Sequence, residues 1–158
     1  MDWDEAEHDV RKLYDAWIDS WNSKDAGAMA EICDENCTII GFDGSMMRGR
    51  AEVHSTLEAI FNNNPTGRYV KAVRDVGFPA DGIAIINSVV GMVLRGKSDI
   101  NPSVNAVQTM VAVNREHGWR ILHFQNTPAA YHGRPLESEK LTDELRKLIP
   151  DAWYFEKN

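Results

Sequence analysis

The hydrophobic period of this chain changes once, near Pro65, and that change limits the possible folds more than any single residue does. Before it, Val10, Leu13, Tyr14, Trp17, Ile18 and Trp21 recur at helical spacing and form the stripe of a long amphipathic helix. After it, residues 68–78, 82–94, 106–116 and 118–127 read as strands. They are separated by Pro79-Ala80-Asp81-Gly82, a polar loop near Asn101-Pro102, and His117-Gly118. Helices first and a run of strands afterwards imply an α+β layer fold, with a curved, mostly antiparallel sheet wrapped around the N-terminal helices.

Shorter signals fill the first half. Asp25 is placed to cap a second helix whose buried side is Ala28, Met29, Ile32 and Cys33. Residues 37–43 are β-branched and aromatic and read as the first strand, ended by the turn signal Asp43-Gly44. Gly49 opens a third helix with Val53, Leu57, Ile60 and Phe61 on its apolar face, stopped at residues 62–65. Residues 136–149 return to helical spacing through Leu141, Leu145, Leu148 and Ile149, and Pro150 closes them. Two units follow: residues 1–136 as the α+β body, and residues 137–158 as a helical extension packed on that body or on a partner subunit. Trp153, Tyr154 and Phe155 are too costly to leave in water and are expected to cover one or the other.

With 158 residues the chain is long enough to bury a core without staples, and its net charge of −7 opposes a polyanionic partner. Arg68, Lys71 and Arg74 are the largest basic grouping and are dispersed, so nucleic acid is excluded as a partner. No run of about 18 apolar residues is present and the acidic N-terminus has no apolar leader core, which argues against a membrane and for a cytoplasmic protein. Cys33 and Cys37, with three residues between them, match neither a redox CxxC nor a zinc pair and read as small buried hydrophobes. GxGxxG, Walker A, HExxH and GxSxG strings are missing, and the five His residues lack ligand spacing, so neither a cofactor nor a metal is expected.

Candidate site residues come mainly from the last strand, GWRILHFQNTP at residues 118–128. A strict period of two puts Trp119, Ile121, His123, Gln125 and Thr127 on one face, and Arg120, Leu122, Phe124 and Asn126 on the other. A polar pair after two large apolar residues fits a concave pocket, with His123 as acid or base and Gln125 beside it. The alternative is a core histidine bonded to a neighbouring carbonyl. On helix 1, Trp17 and Trp21 are placed to stack on a flat ligand and Tyr14 to donate to a developing oxyanion, or all three simply form an aromatic core. Asp43 is the carboxylate candidate for a general base, or else a solvated turn residue. Met46 and Met47 suit an adaptable lid loop, while His54 and Phe61 share a helical face directed at the same cavity. Gln108, with Arg74, Asn87 and Asn105, adds inward candidates on the middle strands. Leu122, Phe124 and Asn126 on the outer face suit a homodimer contact.

The element order, with CTIIGFDGSMMRGRAEV at residues 37–53 and GWRILHFQNTP at 118–128, resembles the nuclear transport factor 2-like superfamily, also called SnoaL-like. SDINPSVNAVQT at 98–109 and FQNTPAAYHGRP at 124–135 are similar to its SgcJ/EcaC-type branch. The resemblance covers residues 8–136 and implies a cone-shaped fold shared by isomerases, cyclases, dehydratases, epoxide hydrolases and dimerisation modules. In its isomerase and cyclase members, the resemblance implies, a catalytic carboxylate lies near the end of the first strand. Gly41 occupies that position here, with Asp43 two residues later. Two functions follow. One is a cofactor-independent enzyme doing acid/base chemistry, such as isomerisation, cyclisation or dehydration, on a small apolar, aromatic or polyketide-like molecule. The other is a non-catalytic ligand-binding or dimerisation module.

Overall fold

The computed structural model describes residues 2–155, with the backbone alone at Phe155. Three helices precede the long strands: α1 (Trp3–Asn22), α2 (Ala26–Glu31) and α3 (Arg50–Asn63). Asp2 caps α1 by accepting from the backbone N–H groups of Asp4 and Glu5, and Asp25 caps α2 by accepting from Ala28 N. The α1 stripe is buried from Val10 to Ile18, while Trp21 is half-buried at its end.

Strands β1 (Cys33–Ile40), β2 (Met46–Arg48), β3 (Arg68–Ala80), β4 (Ile83–Val93), β5 (Ala106–Arg115) and β6 (Gly118–Pro128) form one sheet in the order β2-β1-β6-β5-β4-β3. All pairings are antiparallel except β1 with β6, which is parallel. The first strand thus begins earlier than its composition implies, at Cys33, and stops before Phe42 and Asp43, which lie in a turn. Met46 and Met47 are not in a lid loop. They form β2, paired with Ile40 and Ile39 of β1, and its three residues are too few to carry a periodic signal.

The parity of β6 changes inside the strand. Ile121 pairs with Ala112 and His123 with Val111, so Leu122 is an extra residue opposite β5. Trp119 and Ile121 point inward before this bulge, and Phe124 and Asn126 point inward after it. His123, half-buried, and Gln125, exposed, are turned to the outer face, and Phe124 leaves the outer face for the core. This reverses the strict-alternation expectation for every residue after the bulge.

The inner face and α1–α3 enclose the main core. Helix α4 (Pro135–Arg146) lies on the outer face instead, where Leu141, Leu145 and Ile149 pack with Val70, Val89, Val93 and Ile100 in a second cluster. Arg74, an inward candidate from its spacing, instead holds α4 through a bidentate pair with Glu144 at 2.6 and 2.7 Å. Asn105 is buried and donates to Thr142 Oγ1 of α4 at 2.9 Å. Asn87 accepts from Thr109 Oγ1 and donates to Asp75, away from the inner core. Trp153 lies under the Arg68 guanidinium, 4.2 Å from its ring centroid, whereas Tyr154 is half exposed; the Phe155 side chain is outside the described residues. Among the described residues no helix is long and apolar enough to cross a membrane.

Candidate functional site

Between α1, α3 and the inner face of the sheet lies a cavity of about 370 Å3, at the small end of the range of roughly 300 to 1,000 Å3 typical of ligand pockets. Its apolar wall comes from Trp17 and Trp21 of α1, Met29 of α2, Ile39 of β1, Met47 of β2, Leu57 and Ile60 of α3 and Phe124 of β6. Trp17 stacks obliquely on Phe124 with ring centroids 5.1 Å apart. Trp21 is held between Phe61, at 5.1 Å, and Tyr69, at 5.5 Å, and donates its indole N–H to Gly67 O. The turn between β1 and β2, with Gly41, Phe42, Asp43, Ser45 and Met46, borders the exposed end.

Besides Thr56 of α3 and the turn residues Asp43 and Ser45, three polar side chains border this apolar wall: Gln108, Asn126 and Tyr69. Tyr14 O–H donates to Gln108 Oε1 at 2.6 Å, Gln108 Nε2 to Asn126 Oδ1 at 3.4 Å, and Asn126 Nδ2 to the Tyr69 hydroxyl oxygen at 3.2 Å. Burial pushes both tyrosine hydroxyls above their ordinary range, so both stay protonated at neutral pH. Tyr69 is fixed from behind. Asn22 accepts from its backbone N–H at 2.8 Å and donates to its carbonyl at 3.0 Å. A Cβ on the neighbouring Gly67 would lie 2.7 Å from both Met92 Cγ and Val93 O, so this close approach of β3 to β4 needs glycine.

The candidates named from sequence fall into three groups. Trp17, Trp21, Met46, Met47, Asp43 and Gln108 border the cavity. Tyr14 is completely buried beneath it, its proton spent on Gln108, and Phe61 backs Trp21 without reaching the cavity. His123, Gln125 and His54 lie elsewhere. The β6 bulge turns the first two outward, and His54 is exposed in a separate groove with Glu31, Arg48 and Arg50, 3.2 Å from Glu58 Oε2. Asp43 accepts from Ser45 N at 2.9 Å, which lowers its pKa below the ordinary carboxylate value although it is fully exposed.

Of the polar residues bordering the cavity, strict alternation places Asn126 on the outer face, and the sequence reading does not mark Tyr69, Thr56 or Ser45 at all. The spacing of apolar residues at 119, 121, 122 and 124 holds the missing signal, since a change of phase within one strand marks a bulge. Tyr69 has no such mark.

The profile of the SnoaL-like domain matches residues 10–131. The chain belongs to the SnoaL-like domain family. Solved structures of this SnoaL-like shape agree on the fold. A domain of unknown function with a cystatin-like fold from Nostoc punctiforme is 23% identical, with 86% of this chain and 85% of that chain covered and a TM-score of 0.77. An NTF-2 like protein from Shewanella oneidensis is 15% identical over 77% of this chain and 98% of that one, with a TM-score of 0.62. A ketosteroid isomerase-like protein from Erwinia carotovora atroseptica is 12% identical over 78% and 95%, with a TM-score of 0.61. No curated protein matches the chain.

Proposed function

We propose that this SnoaL-like cone binds one small, neutral, largely apolar molecule, aromatic or polyketide-like, using its own side chains alone. The observation that carries the reading is the composition of the cavity wall. Two tryptophans, three methionines, two phenylalanines and aliphatic residues surround about 370 Å3, and Asp43 at the rim is the sole formally charged residue among the described residues lining it. Burying apolar ligand surface there is favourable at roughly 25 cal/mol per Å2. An anionic ligand would lose its hydration with no opposite charge in return.

The test is calorimetric titration with 2-ethylnaphthalene, alongside the variant Ile60→Trp, which places an indole in the cavity. Saturable binding with a negative heat-capacity change, lost in the variant, is the expected result. Equal heats for both proteins would contradict it.

Asp43 supports a second reading, the acid/base enzyme. It is a carboxylate at the rim of the same cavity, and a similar structure is described as ketosteroid isomerase-like. Its exposed, depressed carboxylate is a weak base, and no imidazole borders the cavity among the described residues, so binding without turnover is favoured. Catalysed deuterium exchange into an enolisable ketone, abolished by Asp43→Asn with binding intact, would reverse that preference. The finer likeness to the SgcJ/EcaC-type branch belongs with this proposal. So does a homodimer formed through the part of the outer face that α4 leaves bare, where Ile85, Val111 and Leu122 are half-buried and Val107 is exposed. A stable monomer by light scattering would exclude the dimer.

A further inference from the structure

We propose that Tyr69 is the specificity-determining hydrogen-bond donor of the cavity, and that it selects a ligand carrying a neutral oxygen acceptor, such as a ketone, on an otherwise apolar body. The inference rests on reading the cavity as a ligand site and adds the direction of its polar groups.

The four side chains from Tyr14 to Tyr69 form a chain with one sense. Each gives a hydrogen to the next: Tyr14 to Gln108, Gln108 to Asn126, Asn126 to Tyr69. Both amide oxygens and the Tyr69 oxygen therefore already accept a hydrogen bond. Each of these oxygens keeps a second lone pair, but the Tyr69 O–H is the one donor group of the series with none of its capacity used. Gln108 and Asn126 each retain a second amide hydrogen, and the Tyr69 O–H has no acceptor among the described residues. An unspent donor beside an apolar wall is costly unless something accepts from it. Bonds in such a series polarise one another, which strengthens the last donor.

Charge narrows the acceptor to a neutral one. Among the described residues no Lys, Arg or His borders the cavity, and its rim carries the negative Asp43, so a carboxylate would be desolvated without a counter-charge. A ketone oxygen needs only the donated hydrogen. Tyr69 is placed to give it reproducibly, because Asn22 holds both its backbone polar groups and the Trp21 ring lies 5.5 Å from its own.

The test compares 2-acetylnaphthalene with 2-ethylnaphthalene, which share a shape and differ in a carbonyl against a methylene, on the full chain and its Tyr69→Phe variant. By calorimetry the variant should bind the ketone about tenfold more weakly, the effect of leaving a buried acceptor unpaired, while its affinity for the hydrocarbon stays within about twofold. The infrared carbonyl stretch of bound 2-acetylnaphthalene should lie lower in the native protein than in heptane, a readout that holds even if Tyr69→Phe fails to fold. An unshifted stretch, or equal losses for both probes in the variant, overturns the role of Tyr69 and leaves the pocket intact. Tight binding of 2-naphthoate overturns the neutral class. Failure of every probe to bind the native protein overturns this inference together with the pocket reading.

Discussion

The Tyr14 hydroxyl donates to Gln108 Oε1 at 2.6 Å and ties the middle of α1 to β5 through a pair with almost no exposure. Removing that donor strands a buried amide oxygen. Tyr14→Phe is therefore expected to cost about 1 to 3 kcal/mol of folding stability, measured by urea denaturation. Adding Gln108→Leu should recover part of the loss, since both partners are then apolar.

The β6 bulge has an equally direct consequence. His123 is outside the cavity, so His123→Ala should leave the binding of a cavity probe unchanged and alter stability by less than about 1 kcal/mol. Inserting one alanine between His123 and Phe124 would instead shift the parity once more and turn Phe124 and Asn126 out of the core. That variant is expected not to fold, as read by near-ultraviolet circular dichroism.

Helix α4 approaches the sheet closely at one point. A Cβ at Gly91 would lie 3.0 Å from Leu145 Cδ1 and 3.1 Å from Ile100 Cδ1. Gly91→Ala should destabilise by about 1 to 3 kcal/mol through overpacking. The penalty should shrink when Leu145→Val is added, so a double-mutant cycle in thermal denaturation checks the contact.

Acid should weaken the fold through three carboxylates. Hydrogen bonds from Arg115, Arg146 and Arg74 hold Asp34, Asp99 and Glu144 below their ordinary values. A depressed folded pKa contributes stability that is fully present above the unfolded values of about 3.9 and 4.3 and is lost as pH falls through the folded ones. Melting temperature should thus hold above about pH 5 with respect to these groups and fall below about pH 4. Asp34 has the least exposed carboxylate of the three, at 10%. Asp34→Asn should flatten the acid limb most, because the other two pairs are exposed and screened.

The fold was legible because long periodic segments dominate it. The α1 stripe, the Asp25 cap, the α3 face and the four strands each depend on local pattern, and Val10, Leu13, Tyr14, Trp17, Ile18, Val53 and Leu57 are buried where the spacing marks them, whereas α2 ends at Glu31 and buries Ala26, Met29 and Ala30. The site was less legible, since it depends on parity. One extra residue at Leu122 exchanges the faces of His123 and Asn126, and period-two reading has no place for it. β2 was hidden by its length, and its pairing with β1 is a tertiary fact. Tyr14 was marked as a donor correctly in chemistry, but its acceptor is the protein's own Gln108. Tyr69 stands among mixed residues on a bent strand whose register shifts after Val73, so nothing local distinguished it.

The central claim, that the cone cavity is the ligand site, is tested most directly by the five tryptophan indole N–H resonances in a titration with 2-ethylnaphthalene. Trp17 and Trp21 line the cavity, whereas Trp3 and Trp119 pack around Phe78 and Trp153 lies with the outer-face cluster. The expected result is a saturable shift of the Trp17 and Trp21 signals with the other three unmoved. Shifts confined to Trp3 or Trp153, or none at millimolar probe, would contradict it.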